Sequence, residues 1–302
     1  MIHEFAVEPE VMATWSHFRV LWEDFGVSRG RLLVEFPKEW RKRVYALAPE
    51  LSPPVRANAL CSKLGDPALR LHRMVGPGGR AFVYPADWLR SAVENQATSR
   101  PFRAIVARSK SSGRPDVLAA DELERDTDPW RVSTQDLNCP RTAVEMAARA
   151  GALLRWSEEL ILVDPYFDPS EPRFVRPFEA FVGVCPGWKR LEVHCARPEP
   201  FDRDVQEDKY RRNLVLAAPT GTTLEVFFWP GLPTGGDLHA RFVLTERGGI
   251  QFDHGLDEGQ STAQTTLVTL LEHEVFLQLR SDYRRGSVTF GTPDVLSIHG
   301  KG

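Results

Sequence analysis

The chain has 302 residues, 42% hydrophobic and 10% aromatic, which is enough apolar material for one large core or two ordinary ones and excludes a disordered chain. No run of 18 apolar residues is present, so no spanning helix is expected; the start Met1-Ile2-His3-Glu4-Phe5 lacks a basic segment followed by an apolar one, so no secretory signal is expected and a cytoplasmic location is. Formal net charge is only −3, and Cys61, Cys139, Cys185 and Cys195 form no C-x-x-C pair, so neither a zinc site nor a disulfide scaffold is expected, and no cofactor motif appears.

In chain order, Val11, Trp15, Phe18, Leu21, Trp22 and Phe25 recur at helical spacing and predict an amphipathic helix over 9–25, ended by Gly26 and Gly30. Residues 31–36 read as a strand or the start of a buried helix. Two helices over 39–47 and 54–64 are separated by Ser52-Pro53-Pro54. A turn at Gly76–Gly79 leads to a predicted strand at 81–84, a short helix at 87–95 capped by Asp87, and strands at 102–108 and 117–120. These elements describe a small α+β domain over residues 1–130. The acidic, proline-closed stretch 121–130 marks its boundary.

A second domain, 135–302, opens with a predicted helix over 141–157, with Asn138 or Cys139 as its cap and Pro140 at its first position. Leu160–Val163 is the continuous apolar run of a buried central strand. Strands at 191–195 and 223–229 flank a polar helix around 202–216. A strand through Arg241, then strands at 249–252, 274–279 and 287–290, complete a mixed sheet, and the alternation predicts an α/β sandwich.

Charge is uneven along the chain. Lys and Arg clearly outnumber Asp and Glu over residues 29–114, whereas acidic residues lead over 136–302. Clustered base is the electrostatic footprint of a polyanion-binding surface, which makes the first domain a candidate contact for nucleic acid. Alternatively, Arg, 31 of the 38 basic residues, is the default surface residue of a chain from a GC-rich, bacterial genome.

The run His239-Ala240-Arg241 with Glu246 beyond it carries the sharpest chemistry. Residues two apart on a strand face the same way, so an imidazole and a guanidinium would stand side by side, able to grip and attack a phosphodiester. This frame resembles the His-x-Lys-x4-Asp motif of the phospholipase D superfamily, with Arg for Lys and Glu for Asp. Helix 141–157, Asp164-Pro165-Tyr166, His239/Arg241 and Gly255-Leu256-Asp257, in that order, resemble more closely the phospholipase-D-like C-terminal domain of proteins carrying a microtubule-interacting-and-trafficking module.

The resemblance covers about residues 135–302. It implies a phospholipase-D-like mixed-sheet sandwich, with His239, Arg241 and Glu246 in the catalytic positions. Asp164, Tyr166, His254 and Asp257 become candidate ligand-binding neighbours. No metal takes part in that chemistry, and two motifs meet across a two-fold axis. A chain with one motif would need a homodimer.

Three functions stay open. The first is phosphate or polyanion recognition by a degenerate site, in a bacterial intracellular defence system that senses or acts on nucleic acid. The second is a metal-independent nuclease or phosphodiesterase using His239 across a homodimer. The third is an adaptor bridging partner proteins of a multi-gene system.

Overall fold

The computed structural model describes residues 1–110, 113–124, 126, 128–185, 187–230, 241–261, 263–284, 287 and 289–301. It divides into two compact units, Met1–Thr134 and Gln135–Gly302.

The first unit is built on β1 (His3–Val7), β2 (Arg31–Val34), β3 (Met74–Val75), β4 (Ala104–Ala107) and β5 (Val117–Ala119). These pair in the order β3-β2-β1-β4-β5, every pair parallel. The unit is therefore α/β, not the α+β domain the sequence suggested. Parallel neighbours need crossovers, and helices supply most of them. The chain goes through α1 (Pro9–Ala13) and α2 (Trp15–Asp24) to β2, then α3 (Trp40–Leu51), α4 (Pro54–Gly65) and α5 (Pro67–Arg73) to β3. The single helix expected over 9–25 is two, divided at Thr14, whose extended backbone ends one and starts the other.

One sheet face buries Phe5, Val7, Leu33 and Val106 against Phe18, Trp22, Trp40 and Leu60 of the helices. Trp130, inside the stretch expected to be a boundary, is fully buried in the same core. The predicted strand at 81–84 is absent. Its backbone bonds go to side chains of α6 (Trp88–Glu94) and the turn after it: Ala81 N–H donates to Asn95 Oδ1 and Tyr84 N–H to Ser91 Oγ. Asp87 caps α6 as expected, accepting from the Arg90 N–H.

The basic excess of the first unit is largely taken up inside it. Across residues 1–134, 20 Lys and Arg face 17 Asp and Glu. The Arg80 guanidinium, 1% exposed, and that of Arg100 each donate to Glu4 at 2.7 Å. Arg108 pairs with Glu8, Arg114 with Asp116, and Arg41 and Arg70 with Glu35. Arg56 and Arg73 lie over Trp15 and Trp22.

The second unit starts with β6 (Gln135–Pro140) and α7 (Ala143–Arg155). The helix is capped by Thr142, whose hydroxyl accepts from the Glu145 N–H. The proposed caps Asn138 and Cys139 instead lie in an edge strand, where Pro140 needs no N–H to donate. There follow β7 (Glu159–Val163), α8 (Pro172–Gly183), β8 (Arg190–Ala196), α9 (Arg203–Leu214) and β9 (Thr223–Trp229). β10 (Phe242–Leu244), β11 (Gly249–Phe252), β12 (Thr265–Leu270), α10 (His273–Asp282) and β13 (Asp294–His299) complete the unit.

The sheet order is β13-β9-β8-β7-β10-β11-β12-β6, with β7, β8 and β9 parallel and the remaining pairs antiparallel. Two expected strands are corrected. Residues 274–279 belong to α10, since Phe276, Leu279 and Tyr283 recur at helical spacing and pack on the core while Val275 and Leu277 are exposed. The stretch 287–290 forms no strand at its described positions, and the last strand is β13.

Arg80→Ala is expected to cost about 3–5 kcal/mol of unfolding free energy, because it removes the buried one of the two guanidiniums that hold the buried Glu4 carboxylate. Chemical denaturation of both chains measures this. A loss under about 1 kcal/mol would make the pair a surface contact in energy.

Candidate phosphate-binding cleft

Antiparallel register fixes where Arg241 lies. Phe242 pairs with Val163 and Leu244 with Ile161, so one step further along Arg241 comes opposite Asp164. Phe242, Leu244, Ile161 and Val163 all turn into one core, so the alternate positions project from the other face of the sheet. Arg241 precedes β10, yet its carbonyl still accepts from the Phe252 N–H at 3.0 Å, which ties it to the sheet.

On that side lies a cleft of about 330 Å³ whose lining includes Asp164, Tyr166, Arg241, His254 and Asp257. Five of the seven candidate site residues are thus brought together. His239 lies outside the described residues. Glu246 is separated from the cleft. It sits beyond the other end of β10, where its carboxylate accepts from the Glu158 and Glu159 N–H groups at the start of β7 and pairs with Arg247. The reason is geometric: a residue five positions along this strand and its turn cannot stay at the end where Arg241 is.

Asp164 is 2% exposed. Its Oδ1 accepts from the Tyr166 N–H at 3.0 Å and its Oδ2 from the Leu256 N–H at 2.9 Å. Burial pushes its carboxyl above the ordinary aspartate range, and the two backbone donors and Arg241 only partly offset that. The Leu256 bond pins the turn Gly255-Leu256-Asp257 to the end of β7. In that turn Gly255 has φ +124°, and a Cβ there would meet Asp257 Oδ1 at 2.5 Å, so glycine is required.

Asp257 then acts as a bridge. Its Oδ1 accepts from Arg141 Nη2 at 2.5 Å and its Oδ2 from Arg173 Nη1 at 3.1 Å. Arg141 Nε is buried with no hydrogen-bond partner among the described residues. Glu258 is likewise engaged, by the Ala143 N–H at 3.0 Å and by Arg176. The Arg241 guanidinium lies over the Tyr166 ring, 5.2 Å from its centroid, and that tyrosine is 57% exposed. His254 is exposed and lies 3.6 Å from Asp253.

Sequence reasoning missed Arg141, Arg173, Glu258 and Gln264, all of which line the cleft. Arg141 and Arg173 sit just before α7 and in the first turn of α8. Pro172 before Arg173 was the available signal for that helix start. No group of three or more His, Cys, Asp and Glu side chains among the described residues could hold a metal ion. No helix among them is long and apolar enough to cross a membrane.

No family model and no curated protein matches the chain. Among solved structures, the chain is similar to TrmBL2, an archaeal chromatin protein described as showing a novel mode of DNA binding. The identity is 12%, the match covers 50% of each chain, and the TM-score is 0.26. The chain thus spans half the length of that structure, and so slight a likeness assigns neither fold nor function.

Because the Asp164 carboxyl is raised on folding, the native chain holds its proton where the unfolded chain has released it. Its contribution to stability is full below about pH 3.8 and is lost as pH rises through the native value. The stability of the native chain relative to Asp164→Asn is therefore expected to be greatest in acid and to shrink as pH rises. Urea unfolding of both from pH 3 to 7, a window of about four units around that loss, reads this directly. A difference that grows with pH would contradict the assignment.

Proposed function

We propose that the second unit is a phospholipase-D-like sandwich whose cleft recognises phosphate without hydrolysing it. One observation carries the reading: among the described residues, the three carboxylates lining the cleft all have partners within the protein, while three guanidiniums converge on it. Asp164 is held by backbone N–H groups, Asp257 by Arg141 and Arg173, Glu258 by Ala143 and Arg176. The lining therefore favours an oxyanion, which planar guanidiniums bind in a bidentate manner. The buried Arg141 Nε–H would gain an acceptor from it.

Recognition is favoured over hydrolysis because the third member of the His-x-Arg-x4-Glu frame is engaged elsewhere. Glu246 bonds to the start of β7, so it can neither orient an imidazole in the cleft nor hold Arg241. The phosphate is that of a nucleic acid, within a bacterial defence system; no basic amphipathic segment within these residues favours a lipid surface.

The test is binding of single-stranded DNA and RNA oligonucleotides, with anionic phospholipid vesicles alongside. Arg173→Ala is expected to weaken oligonucleotide binding about ten- to a hundredfold, from loss of a charge-assisted hydrogen bond and of one holder of Asp257. Affinity should fall as salt rises. Unchanged binding in Arg173→Ala, or binding of vesicles alone, would remove the nucleic-acid reading.

Arg241→Lys separates recognition from catalysis. Reduced binding with no phosphodiesterase activity is expected, since the flat fork is lost. Turnover of bis-p-nitrophenyl phosphate that rises in Arg241→Lys and vanishes in His239→Ala would overturn the proposal in favour of an enzyme.

A further inference from the structure

The first unit has a crevice of its own, and the sheet topology says where to look for it. From β1 the chain proceeds outward to β2 and β3, and from β4 it proceeds the opposite way to β5. β1 and β4 are paired and flank the point where the direction reverses. In open parallel sheets the connections leave such a point toward opposite faces. The gap they leave, outside the carboxyl ends of the strands, is where ligands bind.

Here that gap is a cleft of about 540 Å³. Glu8 and Glu10 follow β1, Arg108 and Ser109 follow β4, and Arg43 of α3 and Asp87 before α6 complete its polar lining.

Most of these charges are already satisfied. Arg108 donates to Glu8 Oε2 from its backbone N–H at 2.7 Å and to Oε1 from Nε at 3.1 Å. Asp87 accepts from the Arg90 N–H at 2.9 Å. Two groups differ. Glu10 Oε2 is buried and has no hydrogen-bond partner among the described residues. The Arg43 guanidinium rests on the Phe82 ring, 4.8 Å from its centroid, with no ion pair to a described residue. The crevice thus offers an acceptor lacking its donor and a cation lacking its anion.

A buried carboxylate oxygen without a donor is a strong selector for a ligand hydroxyl or amine. The guanidinium selects an oxyanion. A ligand meeting both must carry a hydrogen-bond donor and an anion on one frame. The volume argues for more than an amino acid, since it falls in the range of pockets that enclose molecules the size of cofactors. We infer that this crevice binds a nucleoside phosphate, its sugar hydroxyls donating to Glu10 and its phosphate held by Arg43. The Ser109 hydroxyl lies in the same lining and can bond either part. None of these residues belongs to the second unit, so this inference stands apart from the function proposed there.

Isothermal titration of the full chain tests it with three probes: AMP, 2′,3′-dideoxy-AMP and inorganic phosphate. AMP is expected to bind, and the dideoxy analogue to bind at least about tenfold more weakly, because Glu10 loses its donors. Inorganic phosphate alone should be weaker still. Arg43→Gln should weaken AMP at least about tenfold, and Glu10→Ala, which leaves no side-chain acceptor, should abolish the discrimination between AMP and its dideoxy analogue. The comparison of ligands on the native chain needs no variant, so it holds even if a substitution fails to fold. Absence of AMP binding at millimolar concentration, equal affinity for AMP and the dideoxy analogue, or equal AMP affinity in native and Arg43→Gln chains would each overturn the inference.

Discussion

A carboxyl at the end of a buried strand needs hydrogen-bond partners whether or not it keeps its proton. Asp164 finds two backbone N–H groups, one on its own turn at Tyr166 and one on a distant turn at Leu256. The second bond joins segments 92 residues apart in sequence and sets the position of the Gly255 turn. From there the dependence runs outward. The turn places Asp257, and Asp257 holds Arg141 and Arg173 in the lining of the cleft. The arrangement is pre-organised, so an arriving oxyanion would find little side-chain freedom left to freeze.

The same pairing governs arginine in the first unit. A run rich in Lys and Arg looks like a polyanion footprint until the carboxylates outside the run are counted. Glu4, at the start of the chain, holds Arg80 and Arg100, and Glu8 holds Arg108. Other guanidiniums lie over Trp15, Trp22 and Phe82, where ring contacts replace water. Charge summed along a stretch of sequence therefore overstates the field outside the molecule. What matters is which cations the fold leaves without a partner.

Much of the second unit was legible because its local signals agree. The apolar run at 160–163, the strands at 191–195 and 223–229 and the polar helix between them follow from period and composition alone. The failures have specific causes. Pro140 reads as a helix start but lies in an edge strand, and Thr142 was the better cap because Glu145 stands three residues on. Residues 274–279 alternate enough to look like a strand, yet Phe276, Leu279 and Tyr283 form a helical stripe once the window is widened. Of the site, Arg241, Asp164, Tyr166, His254 and Asp257 could be singled out because they sit in short motifs. Arg141 and Arg173 could not, since only the folded turn at Asp257 brings them together. Glu246 was drawn in by its spacing, and the strand carries it to the opposite end.

The pairing of β6 has a consequence for how the molecule comes to exist. Among the described residues, this first strand of the second unit pairs with β12 alone, so it stays unpaired until residues 265–270 have left the ribosome. Arg141, just after β6, waits likewise for Asp257. The interior strands β7, β8 and β9, joined by local crossovers, have no such delay. Closing long loops is the slow part of folding, and the cleft depends on the longest closures in its unit. It is completed late in synthesis, and a chain truncated before residue 257 would carry most of the sheet and lack the Asp257 bridge that orders the cleft.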